Sequence, residues 1–252
     1  MVTKVDGVQA LDRAMAILRH LARGGDHGER LQDIADTLEL KIPTARRILK
    51  ALIHNRMVYQ VESRRYVMGP LAAELGLAYR GYGSAIARWR PLLASLAKLT
   101  GETVYLVGRG GFDSVVLDRV DGTSLIRAVP FEVGQRHALG IGTGSLAILS
   151  SLDDEEVGLV LASNAGEYRL HDGLDSARLR SMIEKTRRSG YAITFKTKLM
   201  PGVTGFSVAL PQSLDQAQFA VSIAFVADGL PLEKRQTLKR LLAREISKIR
   251  LS

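Results

Sequence analysis

KIPTARRILKAL, residues 41–52, decides how this chain is read. Its first ten residues hold Lys41, Arg46, Arg47 and Lys50 and no acid. Ala45, Ile48, Leu49 and Leu52 recur there at helical spacing, so the pattern predicts a helix with one apolar side and one basic side. The outward stripe is Pro43, Arg47, Lys50 and His54, flanked by Thr44 and Arg46. A basic face of this kind either keeps a helix soluble or holds a polyanion. The flanking sequence decides between the two.

Upstream, VQALDRAMAILRHLAR (8–23) places Leu11, Met15, Leu18 and Ala22 on one stripe, with Ala14, Ile17 and Leu21 beside it. That spacing predicts an amphipathic helix, broken by GGDHGE. RLQDIADTLEL then reads as a short helix with Leu31, Ile34, Ala35 and Leu38 inward. Downstream, MVYQV, the turn-like ESR and RYVMG read as a two-stranded hairpin with Arg64 and Arg65 near its tip. Helix, short helix, turn, basic helix and hairpin within 70 residues outline a winged helix-turn-helix. In that design the second helix of the motif lies in the DNA major groove. Side chains near its start reach base edges, while phosphate contacts supply affinity and orientation. The DNA-contacting set expected here is Pro43, Thr44, Arg46, Arg47 and Lys50 on the helix, with Arg64 and Arg65 on the wing.

Composition fits this reading. The chain has 252 residues, 46% of them hydrophobic, and no cysteine, which excludes disulfides, thiol catalysis and cysteine-ligated zinc. It shows neither the apolar run of a signal peptide nor an uninterrupted apolar stretch approaching the ~18 residues of a membrane span, so a cytoplasmic protein is expected. The net charge is +9. Residues 1–100 hold 16 basic and 9 acidic side chains, and residues 101–252 hold 19 and 17. A basic first part joined to a near-neutral second part points to nucleic acid for the first and another task for the second.

From Pro70 to Thr100 the sequence is helical, with Gly81 and Gly83 expected to divide a linker helix from a longer one that contains Pro91. ETVYLVGR, FDSVVLDRV and SLIRAVP then read as strands. LGIGTGS is a glycine-rich segment leading into the apolar helix LAILSSL. Helices follow near 153–163 and 175–189, with GYAIT, GVTGFSVAL and QFAVSIAFV as further strands and a last helix over 231–250. The order predicts an α+β domain around one mainly antiparallel sheet.

The sequence resembles the IclR family of bacterial transcription regulators almost end to end. LDRAMAILRHL resembles the family's opening helix. LQDIADTLELKIPTARRILKALIHNRMV resembles its helix-turn-helix, and RRYVMGP the return strand of its wing. ARWRPLLASLAKLTGETVYLV, VGQRHALGIGTGSLAILSSL, RRSGYAI and MPGVTGFSVALP resemble the landmarks of its effector domain. The resemblance implies a winged helix-turn-helix over 1–70, linker helices over 71–100 and a GAF-like effector-binding domain over 101–252. It further implies a regulator, repressor or activator of catabolic genes, that binds double-stranded operator DNA and a small organic-acid or aromatic effector, as a homodimer or homotetramer.

Two positions depart from the family pattern. Proline stands at 43 where the family often has serine, and it leaves Ile42, a poor capping residue, before the first helical position. ITFKTK, with Thr194, Phe195 and Lys196, replaces the segment that often carries an acidic pocket residue. By resemblance the effector pocket takes in Gly142 and Thr143 of the glycine-rich loop, Ser222 and Ala224 of AVSIA, Leu139 and Leu146 as apolar walls, and Thr194. The free N–H groups where that loop enters its helix favour an anion such as a carboxylate.

GIGTGS (140–145) is neither a dinucleotide fingerprint nor a phosphate-binding loop nor a nucleophile elbow. Histidines 20, 27, 54, 137 and 171 are scattered without metal-ligand spacing. Asp153 to Glu156 reads as the acidic start of a helix. Trp89, Tyr79 and Tyr82 read as packing residues. No catalytic residue, metal site or cofactor is expected. The rival reading, a small-molecule enzyme with a basic accessory domain, finds no nucleophile–base set to support it.

Overall fold

The computed structural model describes residues 8–23, 27–78, 80–125, 128, 131–170, 174–194, 202–211, 218–226 and 231–250. They form two compact units, residues 1–80 and 81–252.

In the first unit, α1 (Gln9–Arg23), β1 (Glu29–Arg30), α2 (Leu31–Thr37) and α3 (Ile42–His54) precede a hairpin of β2 (Val58–Gln60) and β3 (Arg65–Met68), and α4 (Pro70–Ala78) follows. The strands pair antiparallel in the order β1-β3-β2. One small core joins them. Ile17, Leu18 and Leu21 of α1 meet Ile34 of α2, Leu49 of α3, and Val58 and Tyr66 of the hairpin. The expected stripe of α1 is therefore rotated. Ile17, Leu18 and Leu21 are buried, while Leu11 and Met15 are 56% and 42% exposed. The turn between α2 and α3 closes through Leu40 N–H to Ala35 O at 2.8 Å, with Glu39 at φ +52°. Helix α3 begins one residue earlier than expected. Lys41, not Ile42, is its capping residue, and no side chain caps it. Pro43 lies in the first turn, where a missing N–H costs nothing.

In the second unit, α5 (Arg80–Thr100) precedes β4 (Thr103–Gly110) and β5 (Asp113–Val120). Next come β6 (Arg136–Ala138), α6 (Thr143–Ser150), α7 (Asp154–Ser163), the short α8 (Ala165–Tyr168) and α9 (Ser176–Ser189). The chain closes with β7 (Ala192–Thr194), β8 (Val203–Ala209), β9 (Phe219–Val226) and α10 (Leu232–Arg250). Gly81 and Gly83 do not divide the helices. They lie inside α5, whose preceding residue, Tyr79, is outside the described residues, and α5 also runs through Pro91. SLIRAVP lies partly outside the described residues, and those described there form no strand. The neighbour of β5 is instead β6, from the segment preceding the glycine-rich loop.

The six strands form one wholly antiparallel sheet in the order β6-β5-β4-β9-β8-β7. Both its faces are covered. Alternate residues of a strand face opposite ways, so Val104 and Leu106 of β4 join one core while Tyr105 and Val107 join the other. The first core holds Trp89, Leu92, Leu93 and Leu96 of α5 and Leu238 and Leu242 of α10. The second holds side chains of α6, α7, α8 and α9.

Local chemistry fixes the helix ends. Asp153 caps α7 by accepting from Glu156 N–H at 2.8 Å, and Asp175 caps α9 through Arg178 N–H at 2.7 Å. Gly190, at φ +76°, ends α9 in the left-handed conformation. Arg187 of α9 donates to the Ser150 and Leu152 carbonyls and to Asp154, so it fastens the corner between α6 and α7 and holds the Asp154 carboxyl below its usual range.

Glu245 joins the two helices of the outer layer. It is buried on α10, accepts from Ser95 Oγ of α5 at 2.8 Å, and takes Lys248 Nζ at 2.7 Å and Arg244 Nε at 3.1 Å on its other oxygen. Lys248 and Ser95 hold its carboxyl below the ordinary carboxylate range. A carboxylate with a depressed pKa stabilises the fold above that range and loses the effect as pH falls through it. Glu245→Ala should therefore cost about 1–3 kcal/mol at neutral pH in urea unfolding. The gap to wild type should close as pH drops below about 4.

Candidate functional site

Helix α3 presents its basic residues as the sequence predicts. Ala45 and Leu49 are fully buried and anchor it. Pro43, Arg46, Arg47 and Lys50 are exposed, together with Ile42, around one shallow depression, and Thr44 is half-buried at its edge. No carboxylate among the described residues pairs with Arg46, Arg47 or Lys50, so their charge is available to an outside anion. The two wing arginines differ. Arg64 is exposed at the hairpin turn, at φ +57°. Arg65 is half-buried and donates from Nη1 to the Gly28 carbonyl at 2.9 Å, which ties the wing to the start of β1.

The second unit holds an enclosed pocket between the sheet and the start of α6. Side-chain size makes room for it. Strand β9 turns Phe219, Val221, Ile223 and Phe225 toward α5 and α10, but only Ala220 and Ala224 reach the core on the other face, with Ser222 between them. Gly205 of β8 stands opposite Ala224. A Cβ at Gly205 would collide with the Thr143 side chain, and one at Gly144 would lie 2.7 Å from Val107 Cγ2. These two glycines let the first turn of α6 press against the sheet. Thr143 Oγ1 and Ser222 Oγ then lie 3.0 Å apart and join helix to strand.

Of the expected effector residues, Gly142, Thr143, Thr194, Ser222 and Ala224 line this pocket. Leu139 and Leu146 do not. Both are buried in the core around α6, and the Leu139 carbonyl accepts from Tyr168 Oη at 2.6 Å. Phe195 and Lys196 lie outside the described residues. Tyr105, Ser114, Phe131 and His137 line the pocket without having been expected there. Their signal was indirect. Tyr105 shares with Val107 the alternation of β4 that faces α6, but nothing in the sequence fixes that strand beside β9.

The pocket is apolar with a few placed polar groups, and no Asp, Glu, Lys or Arg is among its described lining residues. Phe131 packs on His137 at 4.7 Å and meets Tyr105 edge-on at 6.4 Å. Burial pushes the Tyr105 hydroxyl up to about 12, so it is a protonated donor at neutral pH. Ser145 Oγ accepts from Gly140 N–H at 2.7 Å and shapes the loop, while Gly142, at φ +83°, precedes the first turn of α6. Gly142 to Ser145, where α6 begins, line the pocket, so the positive end of the helix lies at its wall. The space open to the centres of water molecules is about 40 Å³, enough for a few waters.

Trp89 is buried in the core under α5, and Tyr82 donates to the Arg109 carbonyl at 3.0 Å. Asp153 to Glu156 start α7. Among the described residues no group of three or more His, Asp or Glu side chains is placed to hold a metal, and no helix is long and apolar enough to cross a membrane.

Comparison with known proteins agrees with both halves of this description. The model of the IclR helix-turn-helix domain matches residues 10–62, and that of the bacterial transcriptional regulator IclR C-terminal region matches residues 78–250. The chain belongs to the IclR family. These are models of transcriptional regulators, not of enzymes. The HTH-type transcriptional repressor AllR of Salmonella typhi is 28% identical over 250 residues, covering 97% of this chain and 91% of that protein. AllR of Escherichia coli K12 is 27% identical over 246 residues, covering 96% and 90%. Among solved structures, an IclR regulator from Silicibacter sp. TM1040 aligns with a TM-score of 0.77 at 20% identity over 95% of this chain and 94% of that one. An IclR homologue from Microbacterium hydrocarbonoxydans, complexed with 4-hydroxybenzoate, aligns at 0.67 with 17% identity over 96% and 100%. At these identities the structures show a shared fold. The protein is thus an IclR-type transcriptional regulator with an N-terminal helix-turn-helix domain.

Gly205→Val would force the first turn of α6 off the sheet and part Thr143 from Ser222. Unfolding in urea should show a loss of about 1–3 kcal/mol, against no such loss for Gly158→Ala, where a Cβ meets nothing within 4 Å.

Proposed function

We propose that this regulator grips operator DNA through α3 and switches its grip when a small carboxylate, organic or aromatic, enters the pocket under α6. One observation carries the first half: among the described residues the exposed cations Arg46, Arg47 and Lys50 have no carboxylate partner, on a helix held by buried Ala45 and Leu49. Arg47 reads a guanine edge or holds a phosphate from the middle of the stripe. Pro43, Thr44 and Arg46 lie nearer the helix start, and Arg64 reaches phosphate from the wing. Arg65 acts mainly by holding that wing in place.

The pocket chemistry supports the second half. A carboxylate finds the N–H groups of α6 and the hydroxyls of Thr143, Ser222 and Tyr105, while a ring or short chain rests on Val107, Val203 and Phe131. The complex of the Microbacterium homologue with 4-hydroxybenzoate fits that class. Ligand binding shifts the DNA-binding equilibrium only by its different affinity for two arrangements of the chain. A wing domain over 1–70, linker helices over 71–100 and an effector domain over 101–252, in a cytoplasmic homodimer or homotetramer, complete the reading.

The DNA half is tested on a duplex selected from random sequence by the wild-type protein. Arg47→Ala should weaken binding by about 1–3 kcal/mol, roughly 5- to 150-fold, in a gel-shift titration with the fold intact by circular dichroism. Unchanged affinity refutes the role. The pocket half is tested by thermal shift of the whole chain with 4-hydroxybenzoate and short aliphatic carboxylates. A binder should raise the melting temperature by mass action, and Ser222→Leu, which fills the pocket, should abolish the rise. A rise that survives Ser222→Leu places the ligand elsewhere.

A further inference from the structure

Much of the positive charge of this chain lies away from its recognition helix. Helix α5 carries four basic residues and no acid, and α10 carries seven basic residues and two acids, so the two helices together hold +9, equal to the net charge of the whole chain. They lie side by side on the same face of the sheet, joined where Ser95 meets Glu245 at 2.8 Å. Around that junction Arg88 and Lys98 of α5 and Arg240, Arg244 and Lys248 of α10 are exposed. Of the two acids, Glu245 is buried and both its oxygens are occupied, which leaves Glu233 as the exposed one.

We propose that the outer face of the α5–α10 layer is a second contact for duplex DNA, binding phosphates without reading sequence. The fold offsets this arrangement only in part. Arg240, Arg244 and Lys248 follow at four-residue intervals, a spacing at which like charges destabilise a helix; the single Glu245 carboxylate takes Arg244 and Lys248, and Arg240 pairs with no carboxylate among the described residues. A polyanion turns that cost into attraction. Four residues of helix rise about 6 Å, close to the roughly 6.8 Å of duplex axis that two phosphate steps of one strand cover. Ala94, Ala243 and Ser247 are exposed among the cations and leave them accessible. The Arg88 guanidinium is held over the Trp89 ring at 5.1 Å. Among the described residues this face has none of the exposed aromatic anchors that mark protein partners, and the proposed function already puts the protein on DNA. Duplex DNA is therefore the favoured partner over an acidic protein.

The test uses the full chain and a fluorescent duplex of random sequence, roughly 40 base pairs long, titrated by anisotropy across a range of NaCl concentrations. Arg88→Gln, Lys98→Gln and Arg240→Gln are combined in one variant, since none of the three touches Glu245. The slope of log affinity against log salt should become shallower by roughly 2–3. A variant with Arg88→Lys, Lys98→Arg and Arg240→Lys should restore the wild-type slope. Arg47→Ala, measured in parallel, reports on α3 alone. If Arg47→Ala weakens binding while the glutamine variant keeps the wild-type slope, the second contact is overturned and the regulator reading stands. If the glutamine variant shifts the slope and the charge-retaining one does not restore it, charge is not the cause and the proposal also fails. Urea midpoints near wild type show that each variant is folded.

Discussion

Strand β9 turns Phe219, Val221, Ile223 and Phe225 to one helical layer, and Ala220, Ser222 and Ala224 to the other. The rest of the larger unit depends on that inequality. A sheet buried on both faces must be filled on both faces at close to crystalline density. On the first face bulky side chains fill it, and α5 and α10 pack over them. On the second face alanine and serine leave a gap that side chains of the strand cannot close. Helix α6 comes down into part of it, because Gly144 and Gly205 lack the Cβ atoms that would hold it off. What α6 leaves uncovered is the pocket. The same small residues thus set the seating of α6 and the existence of the pocket, so a substitution that enlarges either glycine changes both.

The first unit is built on a different scale. Among the described residues its main cluster is seven buried side chains with partly buried ones around them, and Leu11, Met15, Leu75 and Leu77 are among the apolar side chains that face outward. A domain this small buries a modest fraction of its surface. Its recognition helix is nevertheless held firmly in one respect: Ala45 and Leu49, at i and i+4, are completely buried. That pins the rotation of α3 about its axis. Once the rotation is fixed, Arg46, Arg47 and Lys50 have no inward option, and the basic face follows from the apolar one.

The parts of the fold legible in the sequence are those governed by local periodicity. The helix period gave α2 and α3 their inner faces, with Ile34, Ala35, Ala45 and Leu49 buried as their spacing predicts. In α1 the period was right and the phase wrong, because a stripe containing Leu11 and Met15 is as apolar as the buried one through Ile17 and Leu21. The choice between them depends on partners elsewhere in the chain. Strand order was not legible, since β4 pairs with β9 more than 100 residues later, and so Tyr105 escaped the pocket residues. Leu139 and Leu146 were expected as pocket walls from the family resemblance, which fixes no side-chain direction. The structure buries both in the core around α6, outside the pocket lining.

Charge shows the same limit in another form. Counted along the chain, most of the basic excess falls in the first 100 residues, together with the helix-turn-helix. Part of it belongs to α5, which lies on the sheet of the second unit, next to a helix almost 150 residues further on. Like charges brought together this way repel, and the repulsion must be met within the fold. Glu245 meets it at the seam, with Ser95, Arg244 and Lys248 all donating to one buried carboxylate. Its charge is retained because its partners are cationic and hydrogen-bonded, which is the condition under which a buried carboxylate stays ionised. A neutral residue there would leave α10 beside α5 with nothing between the two rows of cations but solvent and whatever anion the solvent supplies.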